Sequence, residues 1–307
     1  MIGLLLWVGA ALAGFDPKCD GLAKPADYDD VVQSDFLQNY FALSATLSPV
    51  HGVVPHVPGR GALGVDVGII PPLNCYQRAA YNYTKTEDTN ASPFLPRLRA
   101  TFAFPTRGLV APYVGVAYMG PIPVGGLYNV TFGAELGVAF RVLAPVQPGL
   151  RVHGSLLRSV GEIAGPVKDG DPAVQDLYVG STVGVDAMIA ATPFTKVDLS
   201  PYLSVGFTDA STSFVVGDDG VIVANQHPYL GPTMSVGVDA LIVDHVRIGA
   251  EIYMAPGGFS RPKGLGPETS DRGFGDYGHL YTGRLRLAWE FGGAKVKLGK
   301  KHAESGS

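Results

Sequence analysis

From Leu63 to Phe291 the chain alternates apolar and polar residues with a period of two, the period of a strand whose two faces meet different surroundings. The cleanest stretch runs from Tyr128 to Val142. Tyr128, Val130, Phe132, Ala134, Leu136, Val138, Phe140 and Val142 share one face; Asn129, Thr131, Gly133, Glu135, Gly137, Ala139 and Arg141 share the other. A globular strand usually has about five or six residues, whereas a tilted strand crossing a bilayer needs about 9–11. Other strands are expected at 63–69, 95–104, 109–119, 148–158, 174–191, 197–208, 229–242, 246–254 and 279–291. The expected fold is all-β: an antiparallel up-and-down transmembrane β-barrel of about ten strands, bounded by eight and twelve, with a short N-terminal helix.

The connections carry their own pattern. Long ones at 71–94, 120–127, 159–173, 209–228 and 255–278 alternate with short ones at 105–108, 143–147, 192–196 and 243–245. Barrels in outer membranes have short turns at one end and longer loops at the other; Greek-key sandwiches have no reason to obey that rule. Within 209–228, Phe214-Val215-Val216 and Val221-Ile222-Val223 flank Gly217-Asp218-Asp219-Gly220, a hairpin projecting beyond the membrane. If that hairpin spans instead, the count becomes twelve. Ahead of the barrel the period changes. Val32, Phe36, Tyr40, Ser44 and Leu47, with Leu37 and Phe41 beside them, lie near i, i+4 spacing and predict a helix within 27–47. A strand from Leu37 to Leu47 is the competing assignment.

Composition supports one β-domain rather than helices. Charged residues make up 16% of the 307, against about 25% in soluble domains. Forty-one Gly and 24 Pro cut the apolar content into pieces too short for a spanning helix. A net charge of −4 with no basic stripe before the C-terminal tail argues against nucleic acid as a partner. Ile2 to Leu12 is an apolar core followed by Ala11-Leu12-Ala13, so 1–13 reads as a signal peptide. The expected organisation is then 14–61 as an N-terminal lead and helix able to plug the lumen, 62–291 as the barrel, and 292–307 as a flexible basic tail. Lead and tail are placed on the periplasmic side. Cys19 and Cys75 predict one disulfide in an exported chain, or two separate thiols.

Alternation alone does not say which face is inside. Aromatic residues gather in two belts and place the apolar face in lipid. Phe104, Phe140, Phe194 and Phe291 lie by the short turns; Tyr118, Tyr128, Phe207, Tyr229 and Tyr281 lie by the long loops. The polar parity then assigns lumen charges: Arg97, Arg99, Arg141, Arg151, Arg247, Arg284 and Arg286 against Asp66, Glu135, Asp186, Asp198, Asp239, Glu251 and Glu290, with His153 in addition. Equal numbers of the two signs favour an internal salt-bridge network over an ion-selective constriction, which would show an excess of one sign. A ten-strand lumen has the width for a single helix. A Cys19–Cys75 bond would require residues 15–47 to thread it. No cofactor or metal is expected; Asp169, Asp171 and Asp176 lack the full calcium-loop pattern. The sequon Asn82-Tyr83-Thr84 means little in a bacterial chain.

The last strand, with Tyr281, Gly283, Leu285, Leu287, Trp289 and Phe291 on one face, resembles the closing strand of Gram-negative outer-membrane barrels. That resemblance implies recognition by the outer-membrane assembly machinery, a bilayer partner and an outer-membrane location, although here the chain continues past the terminal aromatic. A plugged barrel also resembles, in architecture, the long-chain fatty-acid channel family, which implies an N-terminal hatch and sideways exit of hydrophobic compounds. Ten strands are similar to the omptin proteases, which would place catalysis at rim residues such as Asp209 and His227, or Asp271, Asp276 and His279. The expected function is a non-enzymatic barrel, a narrow channel for passive transport of small or hydrophobic solutes. The alternative is a structural or surface-interaction barrel acting through its extracellular loops, with an omptin-like enzyme as the minor alternative.

Overall fold

A computed structural model describes residues 19, 23–26, 28–80, 85–86, 93–105, 109–124, 127–140, 146–161, 163, 175–191, 198–217, 220–243, 245–256 and 279–292, the side chains of 80, 85, 124 and 198 excepted. Ten long strands close into one antiparallel barrel: β1 (Gly61–Ile69), β2 (Phe94–Ala103), β3 (Val110–Val124), β4 (Leu127–Phe140), β5 (Val146–Gly161), β6 (Asp176–Ala191), β7 (Asp198–Val216), β8 (Leu230–Val243), β9 (Val246–Ala255) and β10 (Leu280–Phe291). Each pairs with its neighbours in sequence, and β10 closes on β1 with Gly61 opposite Phe291 and Ile69 opposite Gly283. Closure leaves no unpaired edge among these strands, so every ladder is satisfied within the chain. The signal peptide, the tail beyond Gly292, Arg141, Phe194, the sequon, Asp169, Asp171, Asp271 and Asp276 lie outside the described residues.

The barrel is inside out relative to one that folds in water. Leu63, Val65, Leu98, Val116, Phe132, Leu136, Val183, Phe207, Ile252, Leu287 and Trp289 are exposed on its outer surface, while the alternate positions, charged ones included, are buried. This is the arrangement of a transmembrane barrel whose solvent is lipid. Phe104, Phe291, Tyr118, Tyr128, Phe207 and Tyr281 stand on the outside. Tyr229 does not. It is buried, and its hydroxyl donates to the carbonyls of Pro232 (2.6 Å) and Pro256 (3.0 Å). Its polar tip is satisfied by inner backbone instead of interfacial water, which removes it from the predicted belt.

Two connections differ from expectation. Residues 120–127 are not a long loop: β3 runs on to Val124, β4 starts at Leu127, and the ladder absorbs Gly120 and Pro121 in an irregularity between Met119 and Ile122. The long–short alternation is therefore broken there. In 209–228 the hairpin forms as a continuation of β7. Val221–Ala224 pairs back on it, Val221 opposite Val216, turning through Gly217 and Gly220 at φ 67° and 68°. It does not span, and the count is ten.

Residues 28–60 occupy the lumen. The helix α1 (Asp30–Ser44) starts at Asp29, whose carboxylate accepts from the backbone N–H groups of Val31 (2.9 Å) and Val32 (3.2 Å). It lies at the long-loop end. From Ala45 an extended strap descends through the lumen to Gly59, whose N–H bonds to the Ala103 carbonyl at 2.8 Å by the short turns. The strand alternative for 37–47 is excluded by the helix. The lead is likewise not at the short-turn end: Cys19 is bonded to Cys75 in the connection after β1, among the long loops. The described lumen has three layers. Phe36, Leu37, Tyr40 and Leu43 make an apolar layer with Tyr253 and Leu280 above; charges fill the middle; Val53, Ala111, Ala139 and Met188 pack below.

Candidate functional site

The middle layer is built by the strand period, which brings a polar side chain inward at every second residue of each wall strand. Six of the seven arginines singled out by parity (Arg97, Arg99, Arg151, Arg247, Arg284 and Arg286) and six of the seven carboxylates (Asp66, Glu135, Asp186, Asp239, Glu251 and Glu290) are buried inside the barrel, as is His153. Arg141 and the Asp198 side chain lie outside what is described. Glu135 is the hub. It accepts from Arg99 Nε at 3.1 Å and Nη2, and from Arg151 Nε at 2.6 Å, with His51 Nε2 3.5 Å away. Arg99 continues to Asp66 at 2.9 Å and Arg151 to Asp186 at 2.7 Å. His153 stands 3.5 Å from Asp186, and Arg286 3.8 Å from Asp66. A second group joins Arg247 to Asp239 (2.8 Å) and Glu290 (2.6 Å), and Arg60 to Glu290 (3.2 Å). Buried charges are tolerated when paired and hydrogen-bonded, as most of these are; Arg286, too far from Asp66 for a hydrogen bond, donates from Nη2 to the Thr101 hydroxyl at 3.1 Å.

The same arginines hold the strap. Arg97 donates to the Ala45 carbonyl (3.0 Å), Arg284 to that of Thr46 (2.6 Å), Arg151 to that of Leu47 and Arg99 to that of Ser48 (2.9 Å). Four consecutive carbonyls, which an extended segment cannot satisfy by itself, thus have charged donors. Below them Val50 has φ 47°, a conformation that strains a β-branched residue by about 1–3 kcal/mol. Its N–H bonds to Glu251 Oε2 at 3.0 Å, an oxygen that also accepts from Tyr202 at 2.8 Å. Parity reading locates the wall charges. It does not show that half of the arginines' work is on a backbone, nor does it find Arg60, His51 or Tyr202.

The mouth has a different chemistry. A cavity of about 470 Å³ lies between α1 and the wall, lined by Leu37, Phe41, Ile163, Tyr178, Phe214 and Ile222 on its apolar side and by Asp30, Ser34, Gln38 and Gln226 on its polar side. Phe41 and Tyr178, with ring centroids 5.7 Å apart, separate it from a smaller void of about 40 Å³ toward Leu95 and Leu157. The Tyr178 hydroxyl donates to the Gln38 carbonyl at 2.6 Å. Beside the cavity, Asp35 of α1 clamps the connection after the hairpin. Its carboxylate accepts from the N–H groups of Gln226 and His227, each at 2.9 Å, and meets His227 Nδ1 at 2.7 Å. The sequence grouped His227 with Asp209; the carboxylate its ring bonds to is Asp35. His279 stacks edge-on against Tyr281.

Burial raises the Asp35 carboxyl above its ordinary 3.8, against the opposing pull of Gln226 and His227. An acid whose folded pKa is raised keeps a proton that the unfolded chain has released. Its contribution to stability is therefore complete below about 3.8 and is lost as pH rises through the folded value. Relative to Asp35→Asn, the wild-type unfolding midpoint should fall as pH is raised from about 4 through the folded value. Parallel pH profiles for the two chains would show that Asp35 titrates as a solvated acid.

No family model matches the chain, and no curated protein matches it in sequence. Among solved structures it is similar in architecture to Gram-negative outer-membrane β-barrels. The translocator domain of the autotransporter NalP from Neisseria meningitidis aligns at 8% identity and TM-score 0.37, covering 77% of this chain and 90% of that one. The Pseudomonas putida toluene transporter TodX aligns at 10% identity and TM-score 0.33, covering 84% and 71%. OmpT, an outer membrane protein of Vibrio cholerae, aligns at 12% identity and TM-score 0.26; the alignment covers 64% of this chain and only 56% of that one. Superpositions this loose add nothing to what the barrel's own geometry shows.

Proposed function

We propose that this chain resides in a Gram-negative outer membrane and captures small hydrophobic solutes at its long-loop mouth, its own N-terminal segment governing passage below. The cavity between α1 and the Val221–Ala224 hairpin carries this reading: about 470 Å³, concave, mostly apolar, and set over a lumen occupied by the strap and the charged layer. Small-molecule sites have this size and lining, with a few polar groups to orient the guest. The outward apolar surface supports the membrane placement. The reading involves no catalytic step. A surface-interaction role has one observation in its favour, the lumen filled by charges and strap, which an open pore would not have.

Two measurements on the full chain separate these readings. In planar bilayers the wild-type chain should give no steady ionic current, because the strap closes the charged layer. Cells bearing it in their envelope should accumulate naphthalene faster than cells carrying an empty vector. Steady single-channel steps would overturn the closed lumen. Equal accumulation, with the barrel present as a band that shifts on boiling, would overturn solute capture and leave the loop-mediated role.

A further inference from the structure

We propose that the mouth cavity selects uncharged apolar molecules that carry a hydrogen-bond acceptor, read by the side-chain amide of Gln38, and rejects carboxylates of the same shape. This rests on the solute-capture reading above and names its ligand class.

The direction of the Gln38 amide is set by a relay that begins on backbone groups. The Tyr229 N–H donates to Asn39 Oδ1 at 3.0 Å, and Asn39 Nδ2 donates to the His227 carbonyl at 2.9 Å, so the Asn39 amide has one orientation. The His227 N–H, bonded to Asp35 at 2.9 Å, is shared with Asn225 Oδ1 at 3.1 Å, which turns the Asn225 oxygen toward that donor. Asn225 Nδ2 then has two protons to place, one on Asn39 Oδ1 (2.9 Å) and one on Thr212 Oγ1 (2.8 Å). Thr212, already accepting, turns its own proton to Gln38 Oε1 at 3.1 Å. The amide oxygen of Gln38 is thereby committed, and its NH₂ faces the other way. There, among the described residues, its one hydrogen-bond partner is Ser34 Oγ at 3.4 Å, near the outer limit of a hydrogen bond. Ser34 and Gln38 both line the cavity. The result is a preorganised donor at an apolar wall, with two protons and one weak partner. A ketone, ester or ether oxygen would complete it.

Charge supplies the second half. Among the described residues the cavity's lining holds one charged side chain, Asp30, which is exposed and accepts from the Tyr28 hydroxyl at 2.9 Å. No described lining residue is a cation. Of the buried arginines, Arg97 and Arg284 are bonded to the carbonyls of residues 44–46 below, and Arg78, in the connection after β1, is not part of the lining. A carboxylate entering here would lose its hydration, find no counter-ion, and approach Asp30. A neutral isostere loses little and gains the Gln38 donor.

The test uses the full chain in lipid nanodiscs and three probes of one ring system: 2-acetonaphthone, 2-naphthoate and naphthalene. Binding is read by equilibrium dialysis against empty nanodiscs of the same lipid. 2-Acetonaphthone should bind at least about tenfold more tightly than 2-naphthoate, whose carboxylate could also accept from Gln38 but would lose its hydration with no counter-ion and with Asp30 nearby. Gln38→Leu should weaken 2-acetonaphthone about tenfold and leave naphthalene unchanged. Ser34→Arg, which supplies the missing cation, should reverse the preference toward 2-naphthoate. Equal binding of ketone and carboxylate by the wild type, a Gln38→Leu chain that still prefers the ketone over naphthalene, or no reversal in Ser34→Arg would each overturn the selectivity while solute capture stands. If none of the three probes binds the wild type above the empty disc, solute capture itself falls.

Discussion

Replacing Glu135 by alanine should destabilise the folded barrel by about 3–5 kcal/mol, the cost of breaking a buried ion pair from one side. Glu135 is the shared acceptor of Arg99 and Arg151, all three side chains being fully buried. Without it, two guanidinium groups lose a counter-charge and keep only Asp66 and Asp186, on opposite sides of the gap. The desolvation already incurred by the arginines is not refunded, so the loss exceeds the net worth of the intact pair. Glu135→Gln should fall between, because it keeps the shape and an acceptor but not the charge. Gly115→Ala should reproduce part of the effect without touching a charge: a Cβ at 115 would lie 2.3 Å from Glu135 Oε1 and must push the carboxylate off its partners. The quantity to measure is the urea midpoint in detergent micelles, followed by strand circular dichroism and by the boiling-sensitive gel band. A Glu135→Ala loss below about 1 kcal/mol, the scale of a solvated pair, would mean that water reaches the middle layer.

The parts of this molecule that the sequence exposes are those where two environments alternate. Each wall strand has lipid on one face and the charged interior on the other, so Leu136 and Glu135, or Leu285 and Arg284, differ in kind at adjacent positions. The strap has no such contrast. Residues 45–56 are all buried except the half-buried Val54, and a segment with one environment has no period to read. Its anchors are backbone carbonyls, which every residue carries, so no side chain marks Thr46 or Leu47 as the arginines' target. The register that brings Gly249 against Val50 is equally invisible, because a glycine at a close approach looks like a glycine in a turn. Gly120, Pro121 and Pro123 mislead in the opposite sense: they are loop residues by composition, yet the ladder carries them within β3 by slipping register after Met119. The Asp35–His227 clamp joins residues 192 apart in sequence, a pairing that only the closed fold brings within reach.

Substituting Gly249 by valine should turn the silent barrel into one that conducts. Gly249 faces the lumen where the strap's backbone comes close against the wall. A Cβ there would sit 2.5 Å from the Val50 carbonyl oxygen, and the next wall atom, Arg286 Cβ, is at an ordinary 3.5 Å. The collision therefore falls on the strap and spares the ladder. Val50 is already held at φ 47° by its bond to Glu251 and has no relaxed backbone state to retreat into at that site. Unseating it exposes one buried valine, a loss of about 2–3 kcal/mol or a factor of about 30–150 in strap occupancy. Two tethers still limit the motion. The strap's lower end continues into β1, and its upper end is tied through α1 and the Cys19–Cys75 bond, which closes a sequence separation of 56 residues. By chain entropy that cross-link contributes about 4 kcal/mol to overall stability, and while intact it keeps the displaced strap in the mouth. Gly249→Val alone should therefore open briefly and often in planar bilayers. Adding Cys75→Ser should lengthen the openings, because the upper end can then leave the lumen and must find its way back. Cys75→Ser alone should stay closed, since the arginine bonds to residues 45–48 and the Val50 seat are untouched. A Gly249→Val chain that folds, shifts on boiling and conducts no more than wild type would show that the strap is not what closes the pore.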